Sequence, residues 1–147
     1  MLSLEDFKTS LTLPSPVEPF FPKWKGAEKV SLFVKRDDAI HPIMSGNKWR
    51  KLSNALPPSL PKAIVSFGGG FSNHLHALGF ICFKLGIPFT AIIRGDYSAT
   101  PSPMIKDLIQ WQTHIEYVDR ITYKKRSDSA YLNELKLLLN RLLLEPH

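Results

Sequence analysis

The stretch "KAIVSFGGGFSNHLHALGFICFKLGIPFTAIIRGD", residues 62–96, leaves this chain few folds to choose from. It opens with a short apolar run, Ala63 to Phe67, that leads straight into three glycines. A run of that length, bounded in that way, reads as a buried strand. Leu75, Leu78, Cys82 and Leu85 then recur at helical spacing, with apolar residues around much of the circumference, which predicts a largely buried helix. Gly86 stops it, and Phe89 to Ile93 supply a second buried strand. Strands that alternate with helices in this way build parallel βαβ units.

The pattern continues on both sides. In "TPSPMIKDLIQWQ", Ser102 reads as an N-cap with Pro103 at the first helical position, and Ile105, Leu108 and Ile109 form the apolar stripe. "HIEYVD" is a further strand, expected to lie parallel to the other two over Ile115 to Val118. A last helix runs from about Ser129 to Leu144, with Tyr131, Leu135, Leu138 and Leu142 on one side. Upstream, "VSLFVKRDD" gives a strand from Val30 to about Lys35, and Asn47 to about Ala55 a helix closed by Pro57 and Pro58. Residues 1–28 contain "LPSPVEPFFP" and lack periodicity, so an extended, partly docked lead-in is expected there. The predicted class is α/β, a parallel sheet flanked by helices. With 147 residues and 44% hydrophobic content the chain can build one real core.

Composition narrows the partners. The single cysteine, Cys82, cannot form an internal disulfide and sits in the apolar run "LGFICF", where a buried inert thiol is the default. The opening "MLSLEDFKTS" has two acidic residues and no long apolar core, and no run approaches the ~20 apolar residues of a membrane span. A cytoplasmic location without membrane partners is the expectation. The net charge of +6 invites a nucleic-acid reading, with Lys124, Lys125 and Arg126 in "YKKRSD" as local support. No zinc spacing, aromatic RNA-binding signature or helix-turn-helix pattern accompanies them, so nucleic acid is not expected. Anionic small molecules fit the charge better.

In α/β sheets ligands bind beyond the carboxyl ends of strands, which directs attention to "FGGGFSNH". Gly68, Gly69 and Gly70 let backbone approach a ligand, and Ser72 or Asn73 can cap the following helix. The same residues also serve a plain tight turn. A dinucleotide fingerprint fails, because Asn73 stands where its third glycine belongs; a hydrolase nucleophile elbow at Ser72 lacks its final glycine. His74 and His76, two apart, do not share a helix face for metal binding and read as packing or capping residues. In "SGNKWRKL", with Asn47 as N-cap, Lys48 and Lys51 fall one turn apart on one face of a helix start. Cations there oppose the helix dipole, so an anion docked at the helix end would account for them. A positive helix end beside a second ammonium also disfavours the charged form of an amine, and a neutral amine is a nucleophile able to form a Schiff base. A solvated basic turn is the bland alternative.

Taken together, "RDDAIHPIMSGNKWRKL", "FGGGFSNHLHALGF" and "AIIRGD", in this order and spacing, resemble the 1-aminocyclopropane-1-carboxylate deaminase/D-cysteine desulfhydrase family of pyridoxal-phosphate enzymes. The resemblance spans roughly Val30 to Glu145 and implies the tryptophan-synthase-β-like fold, fold type II. It implies that Lys48 holds pyridoxal 5'-phosphate covalently and that Lys51 lies near its phosphate. Asn73 would hydrogen-bond the ring oxygen, and Ser72 would contact substrate and act as nucleophile or proton-transfer group. The implied activity is deamination or desulfhydration of a small amino acid such as D-cysteine or the cyclopropane amino acid. Family members are longer, and their second half supplies a further glycine-rich phosphate loop and the partner of the pyridine nitrogen. The resemblance therefore implies that 1–50 is an incomplete N-terminal segment of the large domain and 51–147 a small α/β domain. On that basis the 147 residues alone are expected to bind the cofactor weakly, with a homodimer left open for a full-length chain. The alternative is an inactive fragment or partner-binding module that retains the fold.

Overall fold

The computed structural model describes residues 2–56 and 59–142. Helix α1 (Leu4–Thr9) lies inside the stretch expected to be an extended lead-in. Its start is a capping box: the Ser3 hydroxyl accepts from the Asp6 N–H at 3.0 Å, and the Asp6 carboxylate accepts in return from the Ser3 N–H at 3.3 Å. Phe7 is its buried residue, so one turn of helix is docked by one aromatic ring. That anchor is too short to show as periodicity.

Strand β1 (Val17–Phe20) pairs antiparallel with β2 (Leu32–Lys35), Glu18 opposite Val34 and Pro19 opposite Phe33. The proline-rich segment thus supplies the partner of the predicted upstream strand. Helix α2 (Asn47–Ala55) follows, with Trp49 and Leu52 buried. Its N-cap is Gly46, not Asn47, and no side chain caps it. Gly46 adopts φ 58° and ψ −134°, a conformation that favours glycine, so the turn itself selects the residue before the helix. Pro57 and Pro58, expected to close α2, lie outside the described residues.

The predicted core unit is present. Strand β3 (Ile64–Gly69), helix α3 (Asn73–Leu85), strand β4 (Phe89–Arg94), helix α4 (Pro103–Gln110) and strand β5 (His114–Val118) form a three-stranded sheet in the order β3-β4-β5. Both pairings are parallel: Phe67 lies opposite Ile92, and Ile93 opposite Tyr117. The chain then forms α5 (Arg120–Lys124), a short 3-10 turn (Lys125–Ser127) and α6 (Ser129–Leu142). The predicted end of this last helix, 143–144, lies outside the described residues, as does the Leu142 side chain.

Strand β4 is central and its residues from Phe89 to Ile93 are all buried, as expected for a strand covered on both faces. Alternation divides them. Phe89, Ala91 and Ile93 join the main core with Leu75, Ile81, Ile105 and Leu108, whereas Ile92 lies outside that cluster. Phe67, the register partner of Ile92, meets Tyr123 of α5 and Tyr131 of α6 at centroid distances of 6.3 and 6.4 Å. Helices therefore cover both faces, an α/β architecture. Gly86, at φ 67°, ends α3 in the left-handed conformation, and its N–H returns to the Cys82 and Phe83 carbonyls. Two stripe residues do not pack as expected: Ile109 and Leu138 are exposed, while Met104 takes a buried position beside Ile105. Helical spacing marks one face of each helix and leaves open how far the neighbouring layer covers it.

Candidate functional site

Two cavities collect the residues singled out by sequence. The first, about 690 Å³, lies where β3 and β4 end, and its lining includes Gly70, Phe71, Ser72, Arg94, Tyr97 and Arg120. Ser72 is the N-cap of α3: its hydroxyl oxygen accepts from the Leu75 N–H at 3.2 Å, and its carbonyl from the His76 N–H at 3.0 Å. The glycines permit close approach. A Cβ on Gly68 would stand 2.6 Å from Leu75 Cδ1 and 2.8 Å from Ser72 Cβ, and a Cβ on Gly70 would stand 2.2 Å from Tyr97 Cζ. Neither position tolerates a side chain without movement of its neighbours. From the far side the buried Ser102 hydroxyl donates to the Gly70 carbonyl and accepts from the Ile105 N–H, so one serine both caps α4 and pins the glycine loop.

The second cavity, about 290 Å³, is lined by Asn47, Lys48, Lys51 and Leu52 of α2 together with His74 and Ala77 of α3. The first turn of α2 contains no acidic residue, and Asp37 compensates from outside the helix. Its carboxylate accepts from Arg50 at 2.9 and 3.0 Å, from Lys35 at 2.9 Å and from Ser15 at 2.5 Å. Its backbone carbonyl accepts from the Gly46 N–H at 2.8 Å. Bonds from Arg50, Lys35 and Ser15, in that order, hold the Asp37 carboxyl well below the usual carboxylate range. One aspartate thus fixes both the turn before α2 and the helix that carries the lysines.

Lys48 and Lys51 share a cavity, and Ser72 does not line it; Ser72 lines the glycine-loop cleft, which neither lysine reaches. Asn73, the first residue of α3, lines neither. His74 is the residue that joins the lysine pair to the turn after the glycines. Its Nε2 lies 2.9 Å from the Ser66 hydroxyl of β3, a link between helix and strand that sequence periodicity does not reveal. His76 packs elsewhere, 2.7 Å from the Asp107 carboxylate and stacked on Trp111 at 5.0 Å. Cys82 is buried, and desolvation pushes its thiol up to about 12. Among the described residues no helix is long and apolar enough to cross a membrane, and no group of three metal-ligating side chains converges.

No known family model matches the sequence. Solved structures do match the fold. An ACC deaminase homologue superposes with a TM-score of 0.50 at 20% identity, covering 71% of this chain and 32% of that one. A hydrogen sulfide-producing enzyme from Fusobacterium nucleatum superposes with a TM-score of 0.53 at 16% identity, covering 96% of this chain and 44% of its own. The α/β fold is shared. The chain spans less than half the length of either structure.

Proposed function

We propose that this chain carries the lysine-bearing part of a pyridoxal 5'-phosphate site in a deaminase or desulfhydrase acting on a small amino acid, of the D-cysteine or 1-aminocyclopropane-1-carboxylate type. One observation carries the reading: Lys48 and Lys51 line a single cavity with His74, directly beyond the Ser72–Asn73 pair that follows the glycine loop. The donor set suits the group. An anionic aldehyde needs an amine to hold its carbonyl and a cation for its phosphate, and two lysines on one helix face supply both. When bound, the cofactor would supply an electron sink for bond breaking at the substrate's α-carbon.

The protein's own groups divide the remaining work. Lys48 Nζ would hold the cofactor and would move a proton at the substrate. Lys51 adds positive charge for the phosphate. Asn73 is assigned to the ring oxygen and Ser72 to the substrate, with the hydroxyl proton of Ser72 free to donate while its oxygen caps α3. The similarity of the chain to an ACC deaminase homologue and to a hydrogen sulfide-producing enzyme, each in the respective protein's own terms, supports the substrate class. On the same reading 1–50 belongs to a larger domain and 51–147 to a small one. A second reading, a non-catalytic module that retains the fold, draws on the placement of Lys48 and Ser72 in separate cavities.

Reductive trapping separates the two. The protein is titrated with pyridoxal phosphate, reduced with borohydride and mapped by peptide mass spectrometry, for wild type and Lys48→Ala, with pyruvate release from D-cysteine assayed in parallel. Weak, saturable labelling that favours Lys48 over every other lysine is expected, without turnover by these 147 residues alone. Diffuse labelling shared with Lys124 and Lys125, unchanged in Lys48→Ala, refutes the site and leaves the non-catalytic module.

A further inference from the structure

The glycine-loop cleft holds more charge than the proposed chemistry uses. Arg94, at the end of β4, and Arg120, at the start of α5, both line it, and no carboxylate does. Neither arginine forms an ion pair among the described residues. Arg94 lies against an aromatic ring instead, its guanidinium carbon 5.5 Å from the Tyr123 centroid. Such a contact orients the planar group and leaves its N–H donors unspent. Arg36 and Arg50 show the contrast, since both are taken up by carboxylates. Two guanidinium groups, two tyrosines and a glycine loop without Cβ atoms therefore surround one cleft whose charge has no counterpart in the lining.

We propose that Arg94 and Arg120 form an anion subsite that selects amino acids bearing a second negative group on the side chain: a phosphate ester, a carboxylate or a sulfonate. The inference rests on the reading above that the substrate is an amino acid and departs from it in the side chain, because neither D-cysteine nor the cyclopropane amino acid carries a second anionic group. A single α-carboxylate balances one of the two positive charges, whereas a substrate with an additional anion balances both. Each added charge gains Coulomb attraction to the pair, and because both guanidinium groups are exposed that attraction is screened by salt. Guanidinium groups suit this task, because their forked donors match carboxylate and phosphate oxygens two at a time.

Binding to the protein without cofactor tests this directly. The ¹⁵N-labelled chain is titrated with O-phospho-D-serine, D-serine and inorganic phosphate at low and at physiological salt. O-phospho-D-serine is expected to bind at least about tenfold more tightly than D-serine, about 1.4 kcal/mol. It should shift the amide signals of Gly68 to Ser72 and of Gly95, and weaken as salt rises. Arg94→Gln and Arg120→Gln are each expected to cost about tenfold, and Arg94→Lys less, since it keeps the charge. Both arginines are exposed, so a dispersed spectrum in the variants reports an intact fold. Equal affinity for the two amino acids, indifference to both Gln variants, or shifts confined to Lys124 to Arg126 overturn the subsite. Inorganic phosphate binding as tightly as O-phospho-D-serine reduces it to a general anion site and also overturns the amino-acid assignment. The lysine-trapping experiment reads label on Lys48 and this titration reads anion binding without cofactor, so failure of the one and failure of the other are distinct outcomes.

Discussion

Ser102→Ala is expected to damage this fold more than the loss of a helix cap warrants. The side chain is 5% exposed and serves two partners: its oxygen accepts from the Ile105 N–H at 3.3 Å, and its hydroxyl donates to the Gly70 carbonyl. Loss of the first contact removes an N-cap, which costs about 1 kcal/mol. Loss of the second leaves a buried carbonyl without its donor, a further penalty of roughly 1–3 kcal/mol. The sum is about 3 kcal/mol. Ser72→Ala provides the internal control, because the Ser72 hydroxyl caps α3 through Leu75 and is partly exposed, so about 1 kcal/mol is expected there. Urea unfolding of the three proteins measures the difference. With a slope of roughly 2 kcal/mol per molar, the midpoint of Ser102→Ala should fall about 1 M below that of Ser72→Ala, with slopes unchanged. Amide shifts in Ser102→Ala should reach Gly70 and Phe71 as well as the first turn of α4. If the two variants are equally stable, or the loop signals do not move, the Gly70 bond contributes nothing and the argument for a pinned loop is wrong.

Asp37→Asn should loosen the entry to α2 and flatten the acid limb of the stability curve. The folded Asp37 carboxyl titrates below its unfolded counterpart, so its contribution is complete above about pH 4 and is lost as pH falls through the lowered value. Urea midpoints at pH 7 and near pH 3 should therefore differ more in wild type than in the variant, and the carboxyl carbon of Asp37 should titrate below the usual range by NMR. The Cys82 thiol, held up to about 12 by burial, should resist iodoacetamide at pH 8 in the native protein and react on unfolding, with rates at least roughly a hundredfold apart. Rapid native labelling would show that the α3 core opens easily.

Much of the fold was legible because the relevant signals are local. Ser102 followed by Pro103 and Gly86 after α3 are caps whose chemistry acts within one turn, and both stand where the pattern places them, while of Ser72 and Asn73 the structure makes Ser72 the cap of α3. The capping box at Ser3 and Asp6 was equally readable, yet a helix of six residues carries too little periodicity to stand out among prolines. Asn47 was misplaced by one residue because asparagine is a good cap in general, whereas the backbone here requires the glycine before it. Ile109 and Leu138 belong to apolar stripes but remain exposed, since a stripe marks a face of a helix and not how far the neighbouring layer extends.

The sequence by itself determined the succession of strands and helices from β3 to β5 and their parallel pairing, and it singled out two stretches, the glycine loop and the helix start at Lys48. Hydrophobic period and turn residues are properties of a few neighbouring positions, and nearby backbone energetics enforce them. Only the tertiary structure decided that His74, rather than Ser72, borders the lysine cavity, that Asp37 anchors the helix bearing Lys48 and Lys51, and that Ser102 supports the glycine loop. It also decided that Arg94 and Arg120 line one cleft. Such pairings depend on how separate elements pack, through rotations and translations of whole helices against a sheet. No local pattern of residues encodes those, because the free energy that sets them is shared across the core.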